Sequence, residues 1–273
     1  AATKFSQVSL DADKRYTATL KLGQTTTTGD AEGELVQTRP VTTEAVNPQS
    51  VRAACDAFLG DIEQIPPMHS ALKHQGRALY EYAREGVEIE RAARQVTIHA
   101  IDILRCDDDV VELDVRCSKG TYIRTLAEDI GERLGCGAHL IALRRTGSGG
   151  VTLQGAVTLE VLQGMSESDR DTCLLPADVL LSDWPVVTLT EPEAARFLTG
   201  LRRRVKLPDA AQVRVYGPHP VHGDDPAWRV LLGSAHIKAG ELIPTRLLSP
   251  AEVQGMLTQS APVAPEAEAS PAI

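Results

Sequence analysis

The sequence lacks any apolar run long enough to cross a membrane, and its first residues lack the pattern of a signal peptide. Its five cysteines are odd in number, widely spaced and without a Cys-x-x-Cys pair, so they indicate neither a disulfide framework nor a zinc site. The histidines form no ligand cluster, and the one close pair, His219 and His222, lies in a proline-rich loop. These absences predict a cytoplasmic protein with no metal and no membrane association.

Net positive charge is also lacking. The chain carries 28 Lys and Arg against 37 Asp and Glu, a formal charge of -9, which argues against a nucleic-acid partner because phosphate neutralisation needs clustered cations. The basic residues are nevertheless clustered, and either an ordinary solvated surface or phosphate contacts would explain each cluster. The clusters are Lys14 with Arg15; Lys73 with Arg77 and Arg84; Lys119 with Arg124; Arg144 with Arg145; and Arg202, Arg203, Arg204 and Lys206.

Strands are predicted from alternating apolar and polar residues. Residues 14–22 alternate as a half-buried strand requires, and residues 96–106 and 110–117 are expected to form a hairpin across three aspartates. A further strand is expected over residues 138–143. With the helices between them, these strands indicate an α+β fold with a mixed, largely antiparallel sheet and flanking helices.

Helices are predicted from caps and from apolar residues at helical spacing. Asn47 with Pro48 is typical of a helix start, and Gly60 stops that helix. Residues 123–134 carry one apolar face and end at a glycine. Between them, the segment 66–94 is rich in Lys, Arg, His and Tyr and poor in core residues, so it is expected to be an excursion from the main fold.

The pattern of residues in the sequence changes after residue 182. Short β-rich stretches separated by Pro and Gly suit a small β-barrel, and they lie at residues 186–189, 205–207, 213–216, 228–232, 235–238 and 242–247. The chain then ends in Ala, Pro, Glu and Ser, a composition that is too poor in large apolar residues to fold. We therefore predict a domain over residues 1–182, a second domain over 183–255 and a disordered tail over 256–273.

Three stretches carry a family resemblance. They are Asp-Lys-Arg-Tyr at residues 13–16 with Leu-Gly at 22–23; Ile-Pro-Pro-Met-His-Ser-Ala-Leu-Lys at 65–73; and Ser-Lys-Gly-Thr-Tyr-Ile-Arg at 118–124 with Gly-Cys-Gly-Ala-His-Leu at 135–140 and Leu-Arg-Arg at 143–145. In this order and at these distances they resemble the TruB family of pseudouridine synthases. That family converts the T-loop uridine at tRNA position 55 to pseudouridine.

The resemblance implies an enzyme, a tRNA isomerase that needs no cofactor. In the family, an aspartate in a Leu-Asp-Pro motif acts on a flipped-out nucleotide as a nucleophile. That motif occurs nowhere in the 273 residues, and Ala2-Thr3-Lys4 resembles the stretch that follows it. The chain is therefore expected to be truncated at its start and inactive as it stands, and neither Asp13 nor Asp30 is assigned as a substitute nucleophile.

Five residues of the chain match functional positions of the family. Tyr16 resembles the tyrosine that stacks on the target base and assists proton removal, and Arg124 resembles the arginine that pairs with the catalytic aspartate. Tyr122 and Leu143 match positions that line the uridine pocket. Lys73 lies at the start of an insertion that grips the T arm, so it is expected to bind substrate. For Tyr16, Arg124 and Leu143 an ordinary structural role in the core or on the surface is the alternative.

The resemblance also implies partners and domain roles. The 66–94 segment corresponds to the RNA-gripping insertion, and the C-terminal barrel resembles a diverged PUA-type RNA-binding domain. The expected partner is the tRNA T arm, and the expected state is a monomer. Two other hypotheses remain open at this point: a catalytically inactive protein that binds or folds tRNA, and a non-RNA α+β protein of similar appearance.

Overall fold

A computed structural model of the chain describes residues 1–43, 46–219 and 229–257, without the side chain of the last residue. The chain divides into two compact units: Asp11–Gln154, and Ala1–Leu10 together with Gly155–Ile273. We call them the 11–154 unit and the C-terminal unit. Residues 155–182 belong to the C-terminal unit by their contacts, whereas the sequence predicted a boundary at residue 182, which stays a prediction.

The strands of the 11–154 unit build one large sheet and two hairpins. The strands are β1 Lys14–Leu22, β2 Gln24–Thr26, β3 Leu35–Thr38, β4 Gly60–Gln64, β5 Lys73–His74, β6 Arg77–Ala78, β7 Arg94–Asp107, β8 Val110–Cys117, β9 Ala138–Ser148 and β10 Val151–Thr152. The large sheet has the order β10-β9-β1-β8-β7-β4, and each of its neighbouring pairs is antiparallel. β2 pairs with β3, and β5 pairs with β6.

The described residues also form α-helices in both units. They are α1 Ser6–Asp11, α2 Pro48–Asp56, α3 Leu79–Arg84, α4 Ile123–Arg133, α5 Leu159–Gly164, α6 Glu167–Thr172, α7 Glu191–Leu198 and α8 Pro250–Leu257. In α2 the Asn47 side chain accepts hydrogen bonds from the N–H groups of Gln49 and Ser50, which forms the predicted N-cap. The sequence did not predict α1 or α7, although Thr190 and Glu193 form a capping box at the start of α7.

The core of the 11–154 unit lies between one face of the large sheet and helices α2 and α4. Ala18, Leu20 and Leu22 alternate along β1 on this face and are almost fully buried. Leu126 and Ile130 of α4 pack into the same cluster. The apolar faces predicted for β1 and α4 therefore pack in one core, which holds α4 against β1 and β9.

The C-terminal unit contains a five-stranded sheet. Its strands are β11 Val186–Thr188, β12 Arg203–Arg204, β13 Ala210–Gly217, β14 Val230–Lys238 and β15 Glu241–Leu247, in the order β11-β13-β14-β15-β12. β11 pairs with β13 in parallel, and the other pairs are antiparallel. Among the described residues no pairing joins the two edge strands, so the sheet is open. β14 is one strand where the sequence predicted two, at 228–232 and 235–238, because Gly233 continues it; residue 228 lies outside the described residues. No strand covers residues 205–207, and the nearest one is β12 at Arg203–Arg204.

The last part of the chain is helical as far as it is described. α8 extends to Leu257, so the first two residues of the predicted tail belong to this helix. Residues 258–273, and the loop that holds His222, lie outside the described residues. Within the described ranges no helix has the length and apolarity to cross a membrane, and no group of three or more His, Cys, Asp or Glu side chains is placed to hold a metal ion.

Candidate active site

Tyr16 lies on β1 directly opposite Arg145 of β9. The Nε of Arg145 donates a hydrogen bond of 3.3 Å to the Tyr16 hydroxyl, and the guanidinium carbon lies 5.5 Å from the centre of the tyrosine ring. The ring is half-buried against the core, and the arginine is exposed. Tyr16 is therefore held at the edge of the core with its polar end toward solvent.

Leu143 lies on β9 two residues before Arg145 and pairs with Ala18. Residues that are opposite each other in an antiparallel pair share a face, so the register places Leu143 and Arg145 on the face of Tyr16. Ala18 is fully buried, whereas Leu143 is 48% exposed. Leu143 is therefore a solvent-accessible apolar side chain on the face of Tyr16, and its place in a pocket wall stays a prediction.

Arg124 lies at the start of α4, and its guanidinium contacts three partners. Nη1 donates to the carbonyl of Thr28 at 3.1 Å and to Oδ2 of Asp30 at 2.8 Å. Nη2 donates to the carbonyl of His69 at 2.5 Å. Three acceptors from two separate loops thus fix the arginine side chain in one orientation.

Asp30 is the carboxylate that neutralises Arg124. Its Oδ1 accepts hydrogen bonds from the hydroxyl of Thr28 at 2.5 Å and from the N–H of Glu32 at 3.2 Å. Burial alone would raise the pKa of Asp30, but the hydrogen bonds from Thr28, Glu32 and Arg124 outweigh it and hold the pKa below its ordinary value. The carboxylate is therefore ionised and already engaged, so it is a partner of Arg124.

Sequence reasoning missed this role of Asp30. The resemblance directed attention to an aspartate outside the chain, and Asp30 was considered only as a replacement for it. The available signal was local, because Thr28 and Gly29 before Asp30 are typical of a turn in which a side chain caps its own loop. The turn also forms an isolated bridge between Asp30 and Leu140 of β9, and the N–H of Leu140 donates to the carbonyl of Gly29 at 3.0 Å.

Tyr122 precedes α4 and is fixed through its backbone. Its N–H donates to the side chain of Gln64 at 3.0 Å, and the Gln64 amide donates to its carbonyl at 3.3 Å. Gln64 is almost fully buried, so this reciprocal pair satisfies a polar side chain inside the unit. The Tyr122 ring is half-buried, and it is separated in sequence from Arg124 by one residue only.

The predicted site residues therefore form separate contact groups within one unit. Tyr16 contacts Arg145, and Arg124 contacts Asp30, whose turn bridges to β9. Lys73 is exposed on the β5–β6 hairpin and shares none of these contacts among the described residues. The strand β9 is thus the element common to the surroundings of Tyr16 and of Arg124.

Two open cavities of the 11–154 unit lie elsewhere. The larger, about 610 Å³, is at the far end of β1 beside Lys21, Arg39 and Asn47. The smaller, about 370 Å³, is bordered by Thr17, Arg144 and other residues that include Leu143. Among the described residues, neither lining includes Tyr16, Tyr122 or Arg124, so a hollow shared by Tyr16 and Arg124 stays a prediction.

Comparison with known proteins identifies relatives over most of the chain. Residues 1–123 match the model for the TruB family pseudouridylate synthase N-terminal domain, and residues 124–182 match the model for the tRNA pseudouridylate synthase B C-terminal domain. The tRNA pseudouridine synthase B of Ralstonia nicotianae is 54% identical over 253 residues, which is 90% of this chain and 78% of that protein. The enzyme of the same name from Thiobacillus denitrificans is 53% identical over 252 residues, or 91% of this chain and 79% of that protein.

Solved structures share the fold. A chain from a Cbf5-Nop10-Gar1 complex aligns with a TM-score of 0.62 and 21% identity, over 92% of this chain and 71% of that chain. A chain from an H/ACA RNP bound to a substrate RNA containing 2′-deoxyuridine aligns with a TM-score of 0.61 and 18% identity, over 92% of this chain and 70% of that chain. At these identities the likeness concerns the fold alone.

Proposed function

Because the chain belongs to the TruB family of pseudouridylate synthases, we propose that it forms the greater part of a tRNA isomerase that converts the T-loop uridine at position 55 to pseudouridine. The observation that carries this proposal is the family match over residues 1–182, which includes every predicted site residue. Such an isomerisation keeps all atoms of the nucleotide and changes no net oxidation state, so it consumes neither a redox partner nor a co-substrate.

The proposed chemistry distributes roles over two groups of residues. The ring of Tyr16 stacks on the extruded uracil, and its hydroxyl assists removal of a proton from the base. Arg124 orients and keeps ionised an aspartate nucleophile supplied from outside these 273 residues. Its Nε, which has no hydrogen-bond partner among the described residues, is available for a second carboxylate beside Asp30. Leu143 and Tyr122 exclude water from the reacting base.

The remainder of the proposal concerns RNA binding. We infer that the segment 66–94, with Lys73 at its exposed β5–β6 hairpin, contacts the T arm through its basic side chains. We also infer that the second domain, residues 183–255, is PUA-like. The basic residues at 202–206 border its edge strand β12 and suit phosphate contacts. A monomer in the cytoplasm is the expected state, and light scattering after gel filtration checks the oligomeric part.

The activity test compares the chain with the product of its whole gene. Each protein is incubated with a T-arm stem–loop, and pseudouridine is measured by mass spectrometry. We expect turnover by a product that contains a Leu-Asp-Pro motif upstream of Ala1, and none by the 273 residues alone. A stem–loop with cytidine at the target position is the matched control. An extended product that binds the stem–loop without converting it would contradict the proposed reaction.

A second function is supported by one observation, the lack of Leu-Asp-Pro in the 273 residues. The chain would then act by binding or folding tRNA without catalysis. Its affinity for tRNA should fall steeply between 50 and 200 mM salt, because cationic side chains displace counterions from phosphates. Filter binding at the two salt concentrations tests this, and equal retention of tRNA and of a random RNA would exclude it.

A further inference from the structure

Two β-bulges of β9 enclose the residues that face Tyr16. Thr19 pairs with Ala142 whereas Leu20 pairs with Leu140, so one residue of β9 is extra between them. Arg15 pairs with Gly147 whereas Tyr16 pairs with Arg145, so a second residue is extra there. A bulge bends a strand and redirects side chains, and bulges are frequent beside active sites. The four residues from 142 to 145 therefore pair with β1 in a register that differs from the register on either side of them.

This register decides which of two adjacent arginines meets Tyr16. Arg145 pairs with Tyr16, and Arg144 pairs with Thr17 on the other face, where it borders the smaller cavity. The side chain of Arg144 forms no ion pair or hydrogen bond with another described residue. Arg145, in contrast, contacts both the ring and the hydroxyl of Tyr16.

We propose that Arg145 is a positioning residue that holds Tyr16 in the orientation in which its ring receives an extruded base. The proposal rests on the proposed function. A guanidinium at the ring is attracted by its π-electrons, and a donor at the hydroxyl restricts rotation of the side chain about its long axis. Leu143 on the same face leaves an apolar surface beside the ring, so a base that stacks on Tyr16 meets a partly preformed site.

The first test examines Tyr16 without RNA. The chain is labelled with 3-fluorotyrosine, and the Tyr16 signal among the five tyrosines is assigned from Tyr16→Phe. Arg145→Gln should shift or broaden this ¹⁹F signal, and Arg144→Gln should leave it unchanged. Equal spectra for both variants, with melting temperatures equal to that of the parent chain, would refute the positioning role.

The second test measures base recognition. Anisotropy titrations compare a T-arm stem–loop that carries the target uridine with one that has an abasic site in its place. The parent chain should prefer the uridine RNA at least about fivefold, because a base that stacks on an aromatic ring gains that much affinity. Arg145→Gln should reduce this preference about two- to fivefold. Arg145→Lys, which keeps the charge, should restore part of it.

The outcomes separate positioning from other roles and from the proposed function. If Arg145→Gln weakens both RNAs equally, Arg145 is a phosphate contact and the positioning role is wrong. Arg144→Gln should keep the preference of the parent chain whatever its overall affinity. If the parent chain binds neither RNA, the proposed function fails for this chain, and the fluorine spectra alone then decide whether Arg145 holds Tyr16.

Discussion

Arg124 and Asp30 form a hydrogen-bonded ion pair, with 2.8 Å between Nη1 and Oδ2. Both side chains are about three-quarters buried, so water screens the pair less than it screens a surface pair. Thr28 binds both members, through its carbonyl to Arg124 and through its hydroxyl to Asp30. The arginine is therefore oriented by this chain alone, before any other carboxylate reaches it.

Asp30→Asn should destabilise the 11–154 unit, because the substitution removes the charge that neutralises Arg124. A hydrogen bond to a charged group contributes about 1.5–3 kcal/mol, and we expect a loss in this range by urea unfolding. Asp13→Asn is the matched control, since the Asp13 side chain is half-exposed and its carboxylate lies 3.0 Å from a histidine, His99, on the surface of the unit. Asp13→Asn should lower the free energy of unfolding by less than about 1 kcal/mol. Equal losses in the two variants would contradict a special role of Asp30.

The contribution of Asp30 should depend on pH in a defined direction. Its pKa in the folded chain is below the ordinary value of about 4, so the stabilisation is complete above that ordinary value. It is lost as the pH falls through the lower, folded-state pKa. The stability difference between the parent chain and Asp30→Asn should thus be constant from about pH 5 to 7 and shrink below about pH 4. A stability difference that grows as the pH falls would contradict a lowered pKa of Asp30.

Arg124→Ala, made in a whole-gene product that converts tRNA, should reduce turnover far more than tRNA binding. The guanidinium donates to a carboxylate and two backbone carbonyls, and the side chain is about three-quarters buried, so it is aimed at acceptors inside the unit. A loss of two or more orders of magnitude in kcat is the expected scale for a group that orients the reacting centre, with Kd for tRNA changed less than about fivefold. Parallel losses in kcat and binding would indicate an RNA-contacting arginine.

Replacing Glu128 or Glu132 of α4 by glutamine should change the melting temperature in opposite directions. Burial, and then the charge of Asp129, raises the pKa of Glu128, so its ionised form destabilises the fold at neutral pH. The hydrogen bond from Arg39 lowers the pKa of Glu132, which is a stabilising carboxylate on the same helix.

Glu128→Gln should therefore raise the melting temperature at pH 7, and the gain should shrink as the pH falls toward about 4.5, where the parent carboxyl is protonated as well. Glu132→Gln should lower the melting temperature slightly, because an exposed pair contributes less than about 1 kcal/mol. Differential scanning fluorimetry at several pH values measures both. A destabilised Glu128→Gln would show that this carboxyl has a partner in the folded protein.

Gly131→Ala should separate α4 from β9. A Cβ at this position would lie 2.3 Å from the backbone nitrogen of Ala138 and 2.4 Å from the carbonyl carbon of Gly137, so the backbone itself must move. We expect a loss of about 3 kcal/mol or more in unfolding free energy. Gly164→Ala on α5, where a Cβ meets nothing within 4 Å, is the control and should change stability by no more than about 1 kcal/mol. A small effect at Gly131 would show that the helix can shift without cost.

The sequence predicted the elements that obey a strong period or a cap. The alternation of Ala18, Leu20 and Leu22, the apolar face of α4 and the Asn47 cap were each confirmed. The strand β4 was missed, because Gly60–Gln64 is polar and lies at the edge of the sheet, where an alternating apolar pattern is not required. The interruption predicted within β14 was wrong, because Gly233 adopts φ 145°, a conformation open to glycine, and lies against the backbone of Arg246.

The sequence allowed candidate site residues to be named, but it did not allow their contacts to be predicted. The positions of Tyr16 and Arg124 came from a resemblance, and their roles stay predictions. The pairing of Arg124 with Asp30 joins residues 94 positions apart, and no local pattern connects them. The same holds for Arg145, since only the register of β9 shows which of two neighbouring arginines reaches the tyrosine.

The paired bulges of β9 make that strand unusually sensitive to its length. If the pairing of Leu140 with Leu20 is kept, deleting Ala142 would move each following residue by one position, so that Arg145 would pair with Thr17 on the other face and Thr146 would take its place beside Tyr16. A deletion of two residues would restore the parity while shortening the strand. Single-residue gaps in this stretch should therefore be absent from functional natural variants, because a gap moves several side chains to the other face at once, whereas a substitution changes only one side chain.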